Sequence, residues 1–448
     1  MTDLAAPSVG SSPPPASLGP PRLRLNTPRL LRIWSLVTIG VATAVAIVAF
    51  VSAVSLTSRT NRLVNNTGPV LVSTQDTKAS VAEADAASTA VFLSGPDIDR
   101  EQQRLYELSV QRSTSEIEEV ARLIGDDELA HASLKITSAQ LVLYAGQVEA
   151  ALLANQQSIA GAEERLESAL STVRDGILPE IDVITARAEQ RFGDDTSGST
   201  EAILILLPIA IAAAVIFFAM GVVRRRSNRV LNLPMTLGFV LLLIFGLWTA
   251  TAINRRSNAL NDARSGGFDA IALTARIQNA GFSYKTAETV GLIDGTGAGN
   301  LDSLGSVLAA GPVTRRSDEL SQPDQGTNTG LLVDAYDGAD SDRERAAAVE
   351  LVIRWNRYVA TSEAIAGRLA NGDVLGARTL AATSGNVDFN GFNTAVESVL
   401  SDNRTQFTTS VGDASHALRG LRTASIVIPM LAALLAARGF QTRINEYR

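Results

Sequence analysis

The chain has 448 residues, 46% of them hydrophobic, a formal charge of −7, no cysteine and two histidines. Without cysteine there are no disulfide staples and no thiolate metal sites, and His131 and His416, in different halves of the chain, read as surface or capping residues rather than a metal pair. The acidic balance argues against nucleic acid as a partner.

Taken in chain order, residues 1–32 open with Pro13-Pro14-Pro15 and Pro20-Pro21 among Ser, Gly and Ala, the composition of a disordered tail. An apolar span follows at 33–56, too late and too long for a cleavable signal peptide. Further spans lie at 203–223, 233–253 and 425–440, the last with a short apolar core at 426–437. No charged side chain interrupts these cores, and at about 1.5 Å per residue such windows cross about 30 Å of hydrocarbon.

Arginines set the orientation. Arg22, Arg24, Arg29 and Arg32 precede the first span, Arg224, Arg225, Arg226 and Arg229 fill the link 224–232, and Arg438, Arg443 and Arg448 follow the fourth. These segments are expected in the cytoplasm, with both termini inside a plasma membrane and with 57–202 and 254–424 outside. Arg59, Arg62, Arg255, Arg256, Arg419 and Arg422 on the opposite flanks weaken the bias without reversing it. The link arginines are chiefly topology signals, with an acidic partner or lipid head groups as a second role.

Both external segments carry helical periodicity. Leu56, Leu63, Val70, Thr77, Ala84 and Val91 recur every seven residues and line one face of a helix with a kink at Pro69. Residues 97–124 give a second helix, Leu134, Leu141 and Val148 mark a third, and a fourth is interrupted near Pro179. At an offset of 200 the first span falls on the third, and Ala87, Thr89, Leu93 and Gly95 fall on Ala287, Thr289, Ile293 and Gly295. In the second segment Val352, Val359 and Ala366 with Trp355, Ser362 and Leu369 form a heptad seam. Phe392, Val396, Leu400, Phe407, Ala414, Leu418 and Leu421 form a long last helix, while a short helix is expected near 301–310 and a loop near 322–330. The predicted fold is all-α, a four-span integral membrane protein with two tandem extracytoplasmic four-helix bundles produced by internal duplication.

Gly193 to Thr200 is expected to interrupt the helix before the second span, whereas only Gly420 weakens the approach to the fourth. Spans one and four are therefore expected to carry motion and span two to anchor. Gly40-Val-Ala-Thr-Ala44 is a small-xxx-small pattern suited to packing a second copy as a homodimer.

No catalytic constellation is present, and an enzyme is not expected. Gly295-Thr-Gly-Ala-Gly299 lacks the Lys-Ser/Thr of a phosphate loop, and Asp126-Asp127 and Asp194-Asp195 sit in Gly-flanked turns suited to helix capping. No cofactor or metal site is indicated. The apolar cores of the spans hold Ser, Thr and Trp but no ionisable group, unlike the spans of pumps and secondary transporters.

A bundle between two spans resembles the input domains of chemoreceptors and sensor kinases, but no signalling module follows the second or fourth span. The duplicated bundle, four spans, Pro-rich start and Arg-rich, Lys-poor, Ala-rich composition together resemble the GlnX family of actinobacterial membrane proteins. That resemblance implies a relay from a glutamate/aspartate-binding lipoprotein (GlnH) outside to a cytoplasmic Ser/Thr protein kinase (PknG), with membrane lipids around the spans. For direct amino-acid binding, the basic and aromatic group Arg276, Lys285, Arg354, Trp355 and Tyr358 is the candidate site. The competing readings are an envelope scaffold without a ligand-dependent switch and an accessory subunit of a transporter.

Overall fold

The computed structural model describes residues 27–95, 99–196, 199–227, 232–295, 301–308 and 329–445. Most of the Pro-rich tail and most of the loop expected at 322–330 lie outside these residues. Among the described residues every regular element is a helix. The first half holds α1 (Thr27–Arg62), α2 (Gly68–Ser94), α3 (Arg100–Leu123), α4 (Glu128–Gln156), α5 (Ala162–Ser171), α6 (Leu178–Thr196) and α7 (Ser199–Ser227). The second holds α8 (Leu233–Asp262), α9 (Asp269–Asp294), α10 (Leu301–Leu308), α11 (Leu331–Asp337), α12 (Asp342–Ala370), α13 (Val374–Leu380), α14 (Asn386–Ala417) and α15 (Leu421–Asn445).

Caps and glycines set the boundaries. Asp99 accepts from the amides of Glu101 and Gln102 to start α3, Asp127 accepts from Ala130 to start α4, and Ser341 with Glu344 forms a capping box on α12. Gly95 and Gly125, both at positive φ, turn the chain after α2 and α3.

Among the described residues four π-turns join successive helices. Leu63–Thr67 joins α1 to α2, and Ala263–Phe268 joins α8 to α9 at the same offset of 200 that aligns the sequence halves. Thr172–Ile177 joins α5 to α6, and Ala381–Gly385 joins α13 to α14. Proline lacks the N–H for the carbonyl four residues back and crowds it. Pro69 and Pro179 each follow a wide turn that absorbs this misfit, so the interruptions expected there are π-turns inside continuing helices.

The chain divides into two compact units. One comprises 1–49, 207–246 and 425–448, the other 50–206 and 247–424. In the first, Ala219, Val223, Met235 and Phe440 are buried together, Asn232 donates to the Gly439 carbonyl at 2.9 Å, and a Cβ on Gly238 would lie 3.0 Å from the Ala432 carbonyl oxygen. Among the described residues five helical stretches are long and apolar enough to cross a membrane: Arg32–Ser94, Glu128–Gln156, Ala202–Arg224, Leu233–Asp294 and Val374–Thr442. Four contain the predicted spans; the fifth is α4, whose Leu134, Leu141, Tyr144 and Val148 sit in the core of the larger unit. Its opposite face is also apolar, with Leu129, Ile136, Val142 and Leu143 exposed.

In the larger unit the two halves share a core. Leu63, Val70 and Phe192 from the first half cluster with Leu260, Phe268, Leu400 and Phe407 from the second, and α2 packs against both α3 and α9. The predicted stripe from Leu56 to Val91 is buried throughout, but so are Leu71, Gln75, Val81 and Ser88, because α2 is covered on more than one face. On α12 the buried face runs through Val352, Trp355, Tyr358, Ser362 and Ile365, with Ala366 exposed. A straight α-helix drifts from a seven-residue repeat, which is why Tyr358 and Ile365 take the buried positions while Val359 stays half-buried against the same core and Ala366 turns outward.

Phe407 packs at two of the π-turns. A Cβ on Gly267 would lie 2.9 Å from Phe407 Cα, and one on Gly68 would lie 2.7 Å from the Leu63 carbonyl oxygen and 3.0 Å from Phe407 Cε1. Gly267→Ala is expected to destabilise the full chain by about 1–3 kcal/mol through overpacking. Gly412→Ala, with nothing within 4 Å of its new methyl, should instead stabilise by up to about 1 kcal/mol from helix propensity. Thermal unfolding of both variants in lipid nanodiscs checks the opposite signs.

Candidate functional site

The proposed binding group comes from α9 and α12, and the structure separates it. Lys285, Trp355 and Tyr358 are buried together, Arg276 is exposed on another face of α9, and half-exposed Arg354 pairs with Glu350 on its own helix at 2.6 Å. Trp355 lies among Tyr284, Tyr358 and Phe392, with ring centroids 5.1, 5.6 and 5.1 Å away. Trp355 is thus a core aromatic, and its ring is closed in by neighbours rather than open to a ligand.

The residue missed from sequence is Glu288. Lys285 Nζ donates to Glu288 Oε1 at 2.9 Å and stands 5.5 Å from the centroid of the Tyr358 ring. Both ion-pair side chains are almost fully buried, at 6% and 3% exposure. A buried ammonium needs a counter-charge, and the i,i+3 spacing on α9 was the available signal. Glu288 Oε2 and the Tyr358 hydroxyl have no hydrogen-bond partner among the described residues. Burial first, then the nearby Glu288 carboxylate, push the Tyr358 phenol well above its ordinary pKa. Burial also raises Tyr284, against the hydrogen bond it makes to Ser362 at 3.2 Å.

A cavity of about 290 Å³ adjoins this pair, with Lys285, Arg378, Asp99, Gln102 and Asn386 in its wall beside the apolar Leu93, Leu375 and Ala381. Lys285 is the member of the predicted group that reaches it. The site therefore offers charge and hydrogen-bond recognition.

A second polar node was read from sequence only as topology. Arg256 is 3% exposed; its Nε donates to Thr60 Oγ1 at 2.8 Å and its guanidinium to the Asp195 carbonyl at 2.9 Å. Arg62 pairs with the Asp195 carboxylate at 2.8 Å. Asp195 is accordingly a buried anchor inside α6 rather than part of a capping turn, because the helix continues to Thr196. Asp127 keeps its capping role and also pairs with Arg191 at 2.8 Å. Arg224 is exposed at the end of α7, while the side chains of Arg225 and Arg226 and all of Arg229 lie outside the described residues.

The helical segment running from just before this node through α6 carries the decisive similarity. Residues 59–197 match the family described as the actinobacterial sensor domain. No curated protein and no solved structure matches the chain. The sensor-domain match takes in α2 to α6 and stops before α7, whereas the core of the larger unit draws on both halves. A sensor-type actinobacterial protein is the reading these findings support.

Proposed function

We propose that the chain is a non-enzymatic transmembrane signal transducer in the plasma membrane, with its termini in the cytoplasm and the larger unit outside. It relays glutamate/aspartate availability from a solute-binding lipoprotein to a cytoplasmic Ser/Thr protein kinase. The sensor-domain match is the observation that carries the sensing role. Two unbroken helical stretches, 63 residues from Arg32 and 62 from Leu233, support transmission, since a continuous helix carries displacement along its length. This revises the choice of moving elements: a turn at 418–420, with Gly420 at φ +83, separates α14 from α15, so spans one and three are the transmitters. A lipoprotein shifts the equilibrium only if it binds one arrangement of these helices more tightly than the other.

In-cell photo-crosslinking with mass spectrometry, using probes on exposed α12 positions and beside Arg224, tests the relay. A solute-binding lipoprotein outside and a kinase inside support it. Cell-wall or division proteins alone favour a scaffold, and a permease with an ATPase favours a transporter accessory subunit.

The transducer acts as a homodimer in this reading. On α4, Leu129, Ile136 and Leu143 alternate with Ala132, Ala139 and Gly146 at a/d spacing along the exposed face, a pattern in which large side chains of one copy fill spaces beside small ones of another. Gly40 and Ala44 are also exposed. Ile136→Lys/Leu143→Lys is expected to convert the nanodisc-reconstituted dimer to monomer by mass photometry, and a dimer unchanged by it would remove α4 from the interface.

A further inference from the structure

A cavity of about 490 Å³ lies within the larger unit, walled by the π-turn Ala263–Phe268 and by α9, α11, α12 and α14. That is the volume of a small-ligand pocket. The first half has a comparable place that the chain fills itself. At an offset of 215, Ile181, Thr185, Ala188 and Phe192 on α6 fall on Val396, Leu400, Asn403 and Phe407 on α14, and all eight are buried. Beside Ala188 the gap is only about 20 Å³, with Leu123 and Ile124 in its wall. Arg191 closes it, donating to the Ile124 carbonyl at 2.7 Å and pairing with the capping Asp127 at 2.8 Å. Beside Asn403 the position of Arg191 is held by Gln406 and the cap is Ser341 rather than an aspartate, so this closure is missing.

The open cavity has an apolar wall of Leu273, Leu351, Val399 and Ala348, with the amides of Asn403 and Gln406 set into it from α14. Asn403 is 7% exposed. The Thr274 hydroxyl donates to the Ala270 carbonyl at 2.7 Å, so towards Asn403 it can only accept, and Asn403 Nδ2 donates to it at 3.2 Å. That fixes the amide with Oδ1 turned the other way. Oδ1 accepts from no group among the described residues, yet it is not one of the unpartnered atoms sealed in the core. In a residue buried this deeply and lining the cavity, the remaining access is through the cavity. Gln406 is half-buried beside Gly266, where a Cβ would stand 2.9 Å from its Nε2. A donor and an acceptor of neutral type are thus offered within an apolar enclosure, an environment suited to a ligand with a polar head and an apolar body.

The charges at the mouth do not select an ion. Asp402 pairs with Arg343 at 2.8 Å, Glu344 is held in the capping box, and Asp269 and Asp340 are exposed. Water screens such exposed groups, whereas an ion carried onto the uncharged amides inside would lose its hydration without a counter-charge.

We propose that this cavity binds a small uncharged molecule with an apolar, ring-sized body and a hydroxyl or amide head, which donates to Asn403 Oδ1 and accepts from the Gln406 amide. The ligand class differs from glutamate and aspartate, and the site does not depend on the lipoprotein relay.

Isothermal titration of the full chain in nanodiscs with benzyl alcohol tests the proposal. Benzoate and benzylamine, of nearly the same size but opposite charge, serve as comparisons, and protein-free nanodiscs correct for uptake by lipid. Saturable binding of benzyl alcohol in preference to both ions is expected. Asn403→Leu should weaken it about tenfold, the usual scale for a lost buried hydrogen bond. Ala347→Phe, at a half-buried position in the wall, should fill the cavity and abolish binding, and thermal unfolding in the same discs verifies that each variant is folded. Heats no larger than those of protein-free discs, tighter binding of either ion, or unchanged affinity in a folded variant would each overturn the site and leave a cavity filled by water. The measurement contains neither lipoprotein nor kinase, so its failure leaves the relay standing.

Discussion

Glu288→Gln is expected to cost the full chain about 3–5 kcal/mol of unfolding free energy, the scale for leaving one partner of a buried ion pair alone. The variant leaves the Lys285 ammonium against the Tyr358 ring with its anionic partner removed. Thermal unfolding followed by near-ultraviolet circular dichroism reads the loss, because Trp355, Tyr284 and Tyr358 pack together at this point. Lys285→Met/Glu288→Leu should recover most of it, since apolar replacement of both members of a buried pair is often neutral or better. A Gln variant as stable as the parent would mean that water reaches Lys285 freely through the adjoining cavity.

The second large effect concerns Asp85 on α2. Its Oδ1 is buried without a partner among the described residues, and burial, aided by Glu167 and opposed by Arg174, raises the carboxyl to about 8. The unfolded chain ionises this group near 4, so between about pH 4 and pH 8 the folded state holds a proton that the unfolded state has released. Its contribution to stability therefore falls as pH rises through that window and levels off above it. Asp85→Asn is neutral throughout and should abolish this slope, gaining on the order of 2–4 kcal/mol over the parent at pH 8 and almost nothing at pH 4. Parallel pH profiles for the two proteins would show that Asp85 is ionised in the fold.

The helices were largely legible because their buried faces repeat. The run from Phe392 to Leu421 is buried at the predicted positions Phe392, Val396, Leu400, Phe407, Ala414, Leu418 and Leu421. Periodicity reports that a face is covered but not by what, so the joining of the halves through α2 and α9 escaped it. The same limit explains the site. Lys285 and Tyr358 were visible as unusual residues, but Glu288 looked like any helix carboxylate until its 3% side-chain exposure was known. Arg256 carried no pattern, and at the offset of 200 it faces Leu56, so aligning the two halves hid it.

The common core bears on what the matched segment can be by itself. Cut out at 59 and 197, it would keep Leu63, Val70 and Phe192 but lose Leu260, Phe268, Leu400 and Phe407, which lie in the same cluster. Phe192 alone would forfeit two aromatic neighbours, Phe268 and Phe407, each 6.2 Å away between ring centroids. The boundary drawn by similarity is thus not a boundary of autonomous folding. A recombinant fragment of that length would carry an open apolar flank into water, and a soluble receiver needs 50–206 and 247–424 joined by a linker in place of the intervening apolar helices.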